Sequence, residues 1–436
     1  MINPGGTAER AAPALRREIG LIGAVTVGLG SIIGTGIYVG FAIAAGVTGP
    51  AVVLATAVAA AIAACNGLSS AQLAAHHPLS GGTYEFGYQR GAPLLGFLAG
   101  WMFLCAKSAS AATAALGFGA YLLQAAHVEA SAIVPAVGCV AVMTLLVACG
   151  IRRSNQANIA IVALTLLSLA TFVLCGAGAA WRGSGENLQP FFLVQDGGGR
   201  PAAFLQACAL MFVAFTGYGR IATMGEEVHD PRRTIPRAIG WSLAVAALVY
   251  IAVGLVAVAA VGTESLASAA GGKAAPLRAV ADETGAQWVG GGITAGAITA
   301  MLGVLLNLIL GLSRMVLAMG RRGDMPRALA RVGATTASPT AAVVVVGVAV
   351  AALALTGSVR TTWSFSAFTV LVYYAITNWL ALGMREEERL YPRWVAAVGL
   401  VACLSLTFFV EPRIWLTGIA LLGIGLIWYR FRIQKS

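Results

Sequence analysis

The chain has 436 residues, 58% of them hydrophobic and 10% charged, with a net charge of +11 from 28 Lys and Arg against 17 Asp and Glu. Soluble domains carry about a quarter charged residues, so the polar surface is too small to cover a water-soluble particle of this size. The composition excludes a soluble enzyme or binding module and points to a protein embedded in lipid.

The charges cluster, leaving windows free of Asp, Glu, Lys and Arg at 19–84, 108–128, 130–151, 154–181, 201–219, 238–263, 284–313, 332–359, 361–384, 394–410 and 414–429. A helix needs about 20 mostly apolar residues to cross the hydrocarbon core. The first window holds two crossings, divided near Gly46–Pro50. The pattern predicts an all-α polytopic membrane protein with twelve transmembrane helices. Spans 1 to 5 fall at 18–43, 49–75, 91–125, 131–150 and 155–180. Spans 6 to 10 follow at 201–224, 236–262, 286–320, 339–358 and 361–383, and spans 11 and 12 at 393–410 and 412–430. Residues 1–17 are polar and basic, and the first apolar segment runs past signal length without a cleavage pattern. Span 1 is therefore expected to remain as a membrane helix. Loops 181–200 and 263–285, rich in Gly, Ser and Ala, read as plain connections, and no segment is long or polar enough for a soluble domain.

Assigning loops alternately from a cytoplasmic N-terminus puts 20 of the 28 Lys and Arg residues on the cytoplasmic side, six outside, and two, Lys107 and Arg220, within spans. The positive-inside rule accounts for this basic excess without nucleic acid. Both tails, 1–17 and 431–436, are then cytoplasmic, as an even number of spans requires. All seven cysteines fall inside predicted spans and read as small apolar core residues, with no metal or redox spacing.

Span 1 contains "GLGSIIGTGIYVG" (28–40), five glycines in thirteen residues, and span 6 has a rough counterpart in "MFVAFTGYGR" (211–220). The span 1 spacing, G-x-G-x-x-x-G-x-G, lacks the G-x-G-x-x-G and the βαβ unit of a dinucleotide site. One reading is close helix packing through small residues, as in Gly30-x-x-x-Gly34 or Gly36-x-x-x-Gly40. The other is a helix break at Gly34-Thr35-Gly36 that offers free N–H groups and a helix dipole to a carboxylate. Spacing alone leaves both standing. Interrupted helices in corresponding positions of two halves point to a transporter site. Counting from span 1 to span 6 gives two inverted repeats of five helices, 18–180 and 201–383, followed by 393–430.

Lys107 lies in span 3, sixteen residues from Gly91 and so near mid-membrane, where a charge is costly and marks function by default. A structural ammonium bonded to helix carbonyls is the plainer alternative. Ser110 on the same helix is a pocket candidate. Arg220 and Glu226 near the lower end of span 6 are candidates for an inner gate, against a solvated charge cluster. His76 and His77, at the end of span 2, read as interfacial. Neither a metal-ligand cluster, a nucleophile with its base, nor a phosphate loop is visible, so no enzyme activity and no cofactor are expected.

The "GSIIGTGI" of span 1, "AFTGYGRIATMGEEVHDPRRTIPRAI" from span 6 into span 7, and "LSRMVLAMGRRGDMPRALARV" after span 8 resemble the amino acid–polyamine–organocation superfamily. The likeness is to its bacterial amino acid permeases and covers roughly residues 18 to 385. It implies a leucine-transporter-like fold in which helices 1 and 6 unwind at mid-membrane. The substrate carboxylate would meet the backbone at Gly34, Thr35 and Gly36, beside Ile33. The amino group would meet carbonyls around Val213, Ala214 and Thr216, with Phe212 and Phe215 adjacent.

Three departures stand out against that family. Many relatives place a large aromatic where this chain has Val213, so either a neighbour supplies the lid or the pocket takes a bulkier side chain. Proton-coupled relatives place a lysine in span 5, where this chain has Thr165; Lys107 and Thr165 are thus the coupling candidates. Relatives often carry Arg-Asp-Gly after span 8, whereas here Arg322 precedes Gly323 and the acid moves to Asp324.

The reading is a secondary transporter of an amino acid in the cytoplasmic membrane, with lipid around it and no obligate protein partner. Proton symport, facilitated diffusion, exchange and transport of an amine or polyamine remain the alternatives.

Overall fold

The computed structural model describes residues 19–76, 81–150, 155–193, 199–225, 227–270, 275–283, 287–333 and 338–434. The N-terminal tail 1–17, His77 and the gate candidate Glu226 lie outside them. Among the described residues the regular structure is helical, with one isolated bridge joining Ile19 to Val228. Eight helical segments are long and apolar enough to cross a membrane, and three shorter apolar helices span Ile133–Ala148, Thr340–Ala354 and Arg393–Thr407. The chain is a multi-pass membrane protein.

The first apolar segment is not one helix. Helix α1 (Leu21–Ile32) ends where Ile33 turns to extended backbone, φ −79° and ψ 106°. A π turn over Gly36–Gly40 leads into α2 (Phe41–Thr48). Gly49, at φ +71°, then reverses the chain into α3 (Val52–His76). A positive φ is open to glycine without the Cβ penalty.

The five glycines of this segment each face different neighbours. A Cβ at Gly28 would strike Ser242 and Ile221, and one at Gly30 would lie 2.6 Å from Asn158 Oδ1 and 2.9 Å from Val162. At Gly34 it would lie 2.7 Å from Val304, at Gly36 2.5 Å from Ala214 Cβ, and at Gly40 2.5 Å from the Trp363 ring. In lipid, helices associate through close van der Waals packing rather than the hydrophobic effect, and small residues permit it. The residues at 28–40 therefore serve packing, and the chain is interrupted within the same stretch.

The remaining long helices enclose this centre. Helices α5 (Pro93–Ala125), α7 (Asn155–Asn187), α8 (Arg200–Phe215), α10 (Pro231–Ala270), α12 (Gln287–Arg322) and α14 (Val359–Leu382) supply the neighbours, each numbered in chain order. Helix α5 opens on Pro93, a residue suited to the first helical position, and packs against α12 and α14, with Ala106, Ala109, Ala111 and Ala112 among its buried residues. Between them, α4 (Thr83–Gln89), α6 (Ile133–Ala148), α9 (Gly219–Ala222), α11 (Pro276–Glu283) and α13 (Thr340–Ala354) complete the order, and α15 (Arg393–Thr407) and α16 (Pro412–Ile433) close it.

Two expectations change. Neither connection, 181–200 or 263–285, is plain loop: α7 runs on to Asn187, a helical stretch follows the kink at Gly262 and reaches Ala270, and α11 buries Leu277, Val280 and Ala281. Its apolar residues recur at i, i+3 and i+4, a helical period masked by the flanking Gly and Ala. Nor are all the cysteines core residues. Cys139, Cys208 and Cys403 are buried, whereas Cys149 and Cys175 are exposed on the outer surface, which in a membrane is apolar as well.

Candidate substrate site

The interrupted stretch of span 1 meets span 6 backbone to backbone. Span 6 is α8, which tightens into a 3-10 turn at Thr216–Tyr218 and resumes as α9. Gly36 stands against Ala214, where an added Cβ would come within 2.9 Å of Ala214 Cα. Gly217 stands against the last turn of α1, where a Cβ would overlap the Ser31 carbonyl and lie 2.5 Å from Ile32 N. Tyr250 of α10 ties the two together: its hydroxyl donates to Ile32 O at 2.6 Å and lies 3.4 Å from Ala214 O.

Beside this junction lies a cavity of about 650 Å³. Thr35 and Gly36 line it from span 1, and Val213, Ala214 and Thr216 from span 6. Lys107 and Ser110 line it from α5, and Arg220 from α9. It extends to the end of the bundle that carries Gly81, Arg321 and Ser338. Ile33, Gly34, Phe212, Phe215 and Thr165 are not on its wall. Phe212 packs edge-on against Tyr374, ring centroids 5.7 Å apart, and Phe215 against Tyr250 at 5.1 Å. Thr165, on α7, donates to Ile161 O within its own helix at 2.7 Å.

Thr35 is 4% exposed, and its hydroxyl has no hydrogen-bond partner among the described residues. An unsatisfied buried hydroxyl is costly and rare in folded proteins. The span 6 carbonyls, by contrast, are already engaged. Val213 O accepts from Thr216 Oγ1 at 2.8 Å, Thr216 O from Tyr374 at 3.3 Å, and Leu210 O from Trp363 Nε1 at 3.1 Å. Val213 O also takes the Thr216 N–H and Thr216 O the Gly219 N–H, so both lone pairs of each are used. Lys107 Nζ donates to Thr216 Oγ1 at 2.9 Å and approaches Thr216 O at 3.5 Å. Ser110 donates to Ser366 Oγ at 2.7 Å, since Ser366 donates onward to Ala106 O.

Arg314 on the cavity wall lies 3.9 Å from Glu227, which is off it, and both are partly exposed. Such a pair contributes about 0–1 kcal/mol.

Tyr250, Trp363 and Tyr374 escaped the sequence reading. Their signal was present: a tyrosine or tryptophan deep in an apolar span must find a partner for its polar tip, and all three tips end on backbone carbonyls beside the junction.

The geometry defines a class first: a multi-pass membrane protein with a cavity where two of its spans meet. Within that class the chain belongs to the amino acid permease family, whose model matches residues 23–435. An uncharacterized transporter of Mycobacterium tuberculosis is 43% identical over 421 residues, 96% of this chain and 92% of that one. The branched-chain amino acid permease of Bacillus subtilis is 28% identical, over 73% of this chain and 70% of its own. Human cationic amino acid transporter 4 is 32% identical, over 86% of this chain and 61% of its own. The chain is a transporter rather than an enzyme.

Proposed function

We propose that this protein is a twelve-span secondary transporter that carries an amino acid across the cytoplasmic membrane by alternating access. The substrate carboxylate sits at Gly34, Thr35 and Gly36, and its amino group on the carbonyls of Val213, Ala214 and Thr216. The twelve spans are the eight long segments, the first of which counts as two, and the three shorter apolar helices. A continuous run of 56 residues, 21–76, is more than twice the length that one crossing needs. Residues 18–180 and 201–383 form the two inverted repeats, with both termini cytoplasmic and the cavity open to that side.

The observation that carries this reading is Thr35, which lines the cavity beside Gly36 and whose buried hydroxyl has no partner among the described residues. A carboxylate there would satisfy it with a charge-assisted bond, roughly twice as strong as a neutral one. The cavity wall carries Lys107 and Arg220 and, among the described residues, no Asp, Glu or His. Amine or polyamine transport without a carboxylate is correspondingly disfavoured. Of the two coupling candidates, Lys107 is on the wall and bonded to the span 6 turn, whereas Thr165 is in neither place.

The test is radiolabelled uptake in proteoliposomes of a panel of amino acids and their decarboxylated amines, with and without an inward proton gradient, for wild type and Lys107→Ala. Uptake of an amino acid but not of its amine is expected, and gradient stimulation in wild type alone assigns proton coupling to Lys107. Uptake that ignores the gradient and survives the substitution makes the protein a facilitator or exchanger. Transport of the amine alone overturns carboxylate capture.

A further inference from the structure

The proposed amino acid site leaves its side-chain preference open, and the charges on the cavity wall speak to it. Lys107 is 8% exposed, held in the middle of the bundle by Thr216 alone: a hydroxyl at 2.9 Å and a carbonyl at 3.5 Å. Among the described residues no carboxylate lies within ion-pair distance of it. A cation taken out of water and into a membrane-embedded bundle is costly unless a counter-charge meets it. An ammonium has three donors, and Thr216 takes one at good distance. The Thr216 carbonyl takes a second at 3.5 Å, and a third remains on a side chain that lines the cavity.

The same wall carries Arg220, Arg321 and Arg314, the last paired with Glu227 off the wall, and no acid or histidine is among the described lining residues. A cleft lined by one sign of charge between low-dielectric walls concentrates ligands of the opposite sign and repels those of its own. Lys107 is left without a counter-charge among the described residues.

On the reading of the cavity as an amino acid site, we infer that the substrate is an amino acid whose side chain ends in a second acidic group, and that Lys107 is the residue that reads it. The placement fits that size. Thr216, which holds Lys107, is three residues from Val213, about one helical turn or ~5 Å along span 6. A side-chain carboxylate one to two methylenes beyond the α-carbon reaches across that interval. A neutral side chain leaves Lys107 without a counter-ion, and a cationic one adds to the repulsion. The human relative named for cationic amino acids differs from this chain in cargo on that view.

The experiment uses the full chain in proteoliposomes and follows labelled glutamate, aspartate, leucine and lysine. In wild type, kcat/KM for glutamate or aspartate is expected at least tenfold above that for leucine, with excess lysine failing to inhibit. Lys107→Met lowers the ratio of kcat/KM for glutamate to that for leucine at least tenfold, and Lys107→Arg restores most of it. Leucine uptake that neither glutamate nor aspartate inhibits overturns this inference while the amino acid reading stands. Uptake of none of the four overturns this inference, and the wider panel of amino acids and amines then decides the amino acid reading. Equal losses for glutamate and leucine in Lys107→Met make the lysine a structural contact and remove its selective role. Should that variant fail to assemble, the wild-type competition series decides alone.

Discussion

Gly217→Ala is the sharpest probe of the junction between the two spans. An added methyl there would overlap the Ser31 carbonyl and approach Ile32 N at 2.5 Å. Every one of these atoms is backbone, so no rotamer change relieves the clash and α1 must move away from the 3-10 turn. Overpacking a tight interior costs about 1–3 kcal/mol, and a clash with backbone belongs at the upper end. Alanine regains about 1 kcal/mol over glycine in helical backbone, leaving a net loss of about 2 kcal/mol. At roughly 2 °C per kcal/mol for a chain of this size, the melting temperature falls by about 4 °C. Moving α1 also displaces Thr35 and Gly36 from Ala214, so uptake is expected below a tenth of wild type. The assay pairs thermal melting of the purified protein in detergent with proteoliposome uptake of the same preparation. Gly292→Ala, on α12 with nothing within 4 Å of the new methyl, serves as the control and should lose neither stability nor transport. A Gly217→Ala protein with wild-type melting and wild-type uptake would refute the backbone contact and the site built on it.

Thr35→Val removes an unpartnered buried hydroxyl, so the melting temperature holds or rises while KM for the amino acid increases roughly tenfold, the loss of about 1.5 kcal/mol expected of a bond to a charged group. Tyr250→Phe strips a donor from Ile32 O and Ala214 O; a loss of about 1–2 kcal/mol is expected from the melt, with uptake slowed. Asp324, fully buried, accepts from the hydroxyls of Tyr84 and Tyr88 and pairs with Arg432. Asp324→Asn breaks this pairing, and with Arg432 partly exposed the lower end of the range for buried pairs applies, about 3 kcal/mol in the melt. Glu388 is held below the usual glutamate range by the Arg385 N–H and by Arg90. A depressed carboxyl stabilises the fold above its unfolded pKa and loses that contribution as pH falls through the folded one. Glu388→Gln is therefore expected to cost under about 1 kcal/mol at neutral pH, with the difference from wild type fading below about pH 4 in a pH series of melts.

What was legible in the sequence divides by physical cause. Helix placement followed from charge-free windows, because desolvating a charge in lipid is costly enough to override local propensity. The predicted span 3 at 91–125 and span 12 at 412–430 compare with Pro93–Ala125 and Pro412–Ile433 in the structure. Short helices outside the windows were missed, since α4 and α11 follow from packing against neighbours rather than from lipid. The partner of a side chain was also out of reach. Lys107 stood out by residue type alone, yet that its ammonium meets Thr216 depends on how α5 crosses span 6. The displaced acid after span 8 read as a weakened match to the family. In the fold Asp324 gains Tyr84, Tyr88 and the C-terminal helix α16, contacts joined across more than a hundred residues of chain.

The glycines that looked like alternatives, packing or interruption, prove to be one device. Gly36, just past the end of α1, lies against Ala214 of span 6, and Gly217, in the tightened turn of span 6, lies against the end of α1. Each span sets a residue without a side chain against the other's backbone, so the two come together closely enough for one tyrosine, Tyr250, to bond both. A backbone this near to its neighbour leaves no room for side-chain screening of its polar groups, and those groups border the cavity at Thr35, Gly36, Val213 and Ala214. Close packing of the two spans and their shared border on the cavity are thus the same requirement. Any motion that carries the cavity from one side of the membrane to the other must either move both spans together or part them at Gly36 and Gly217, and crosslinking across that pair distinguishes the two.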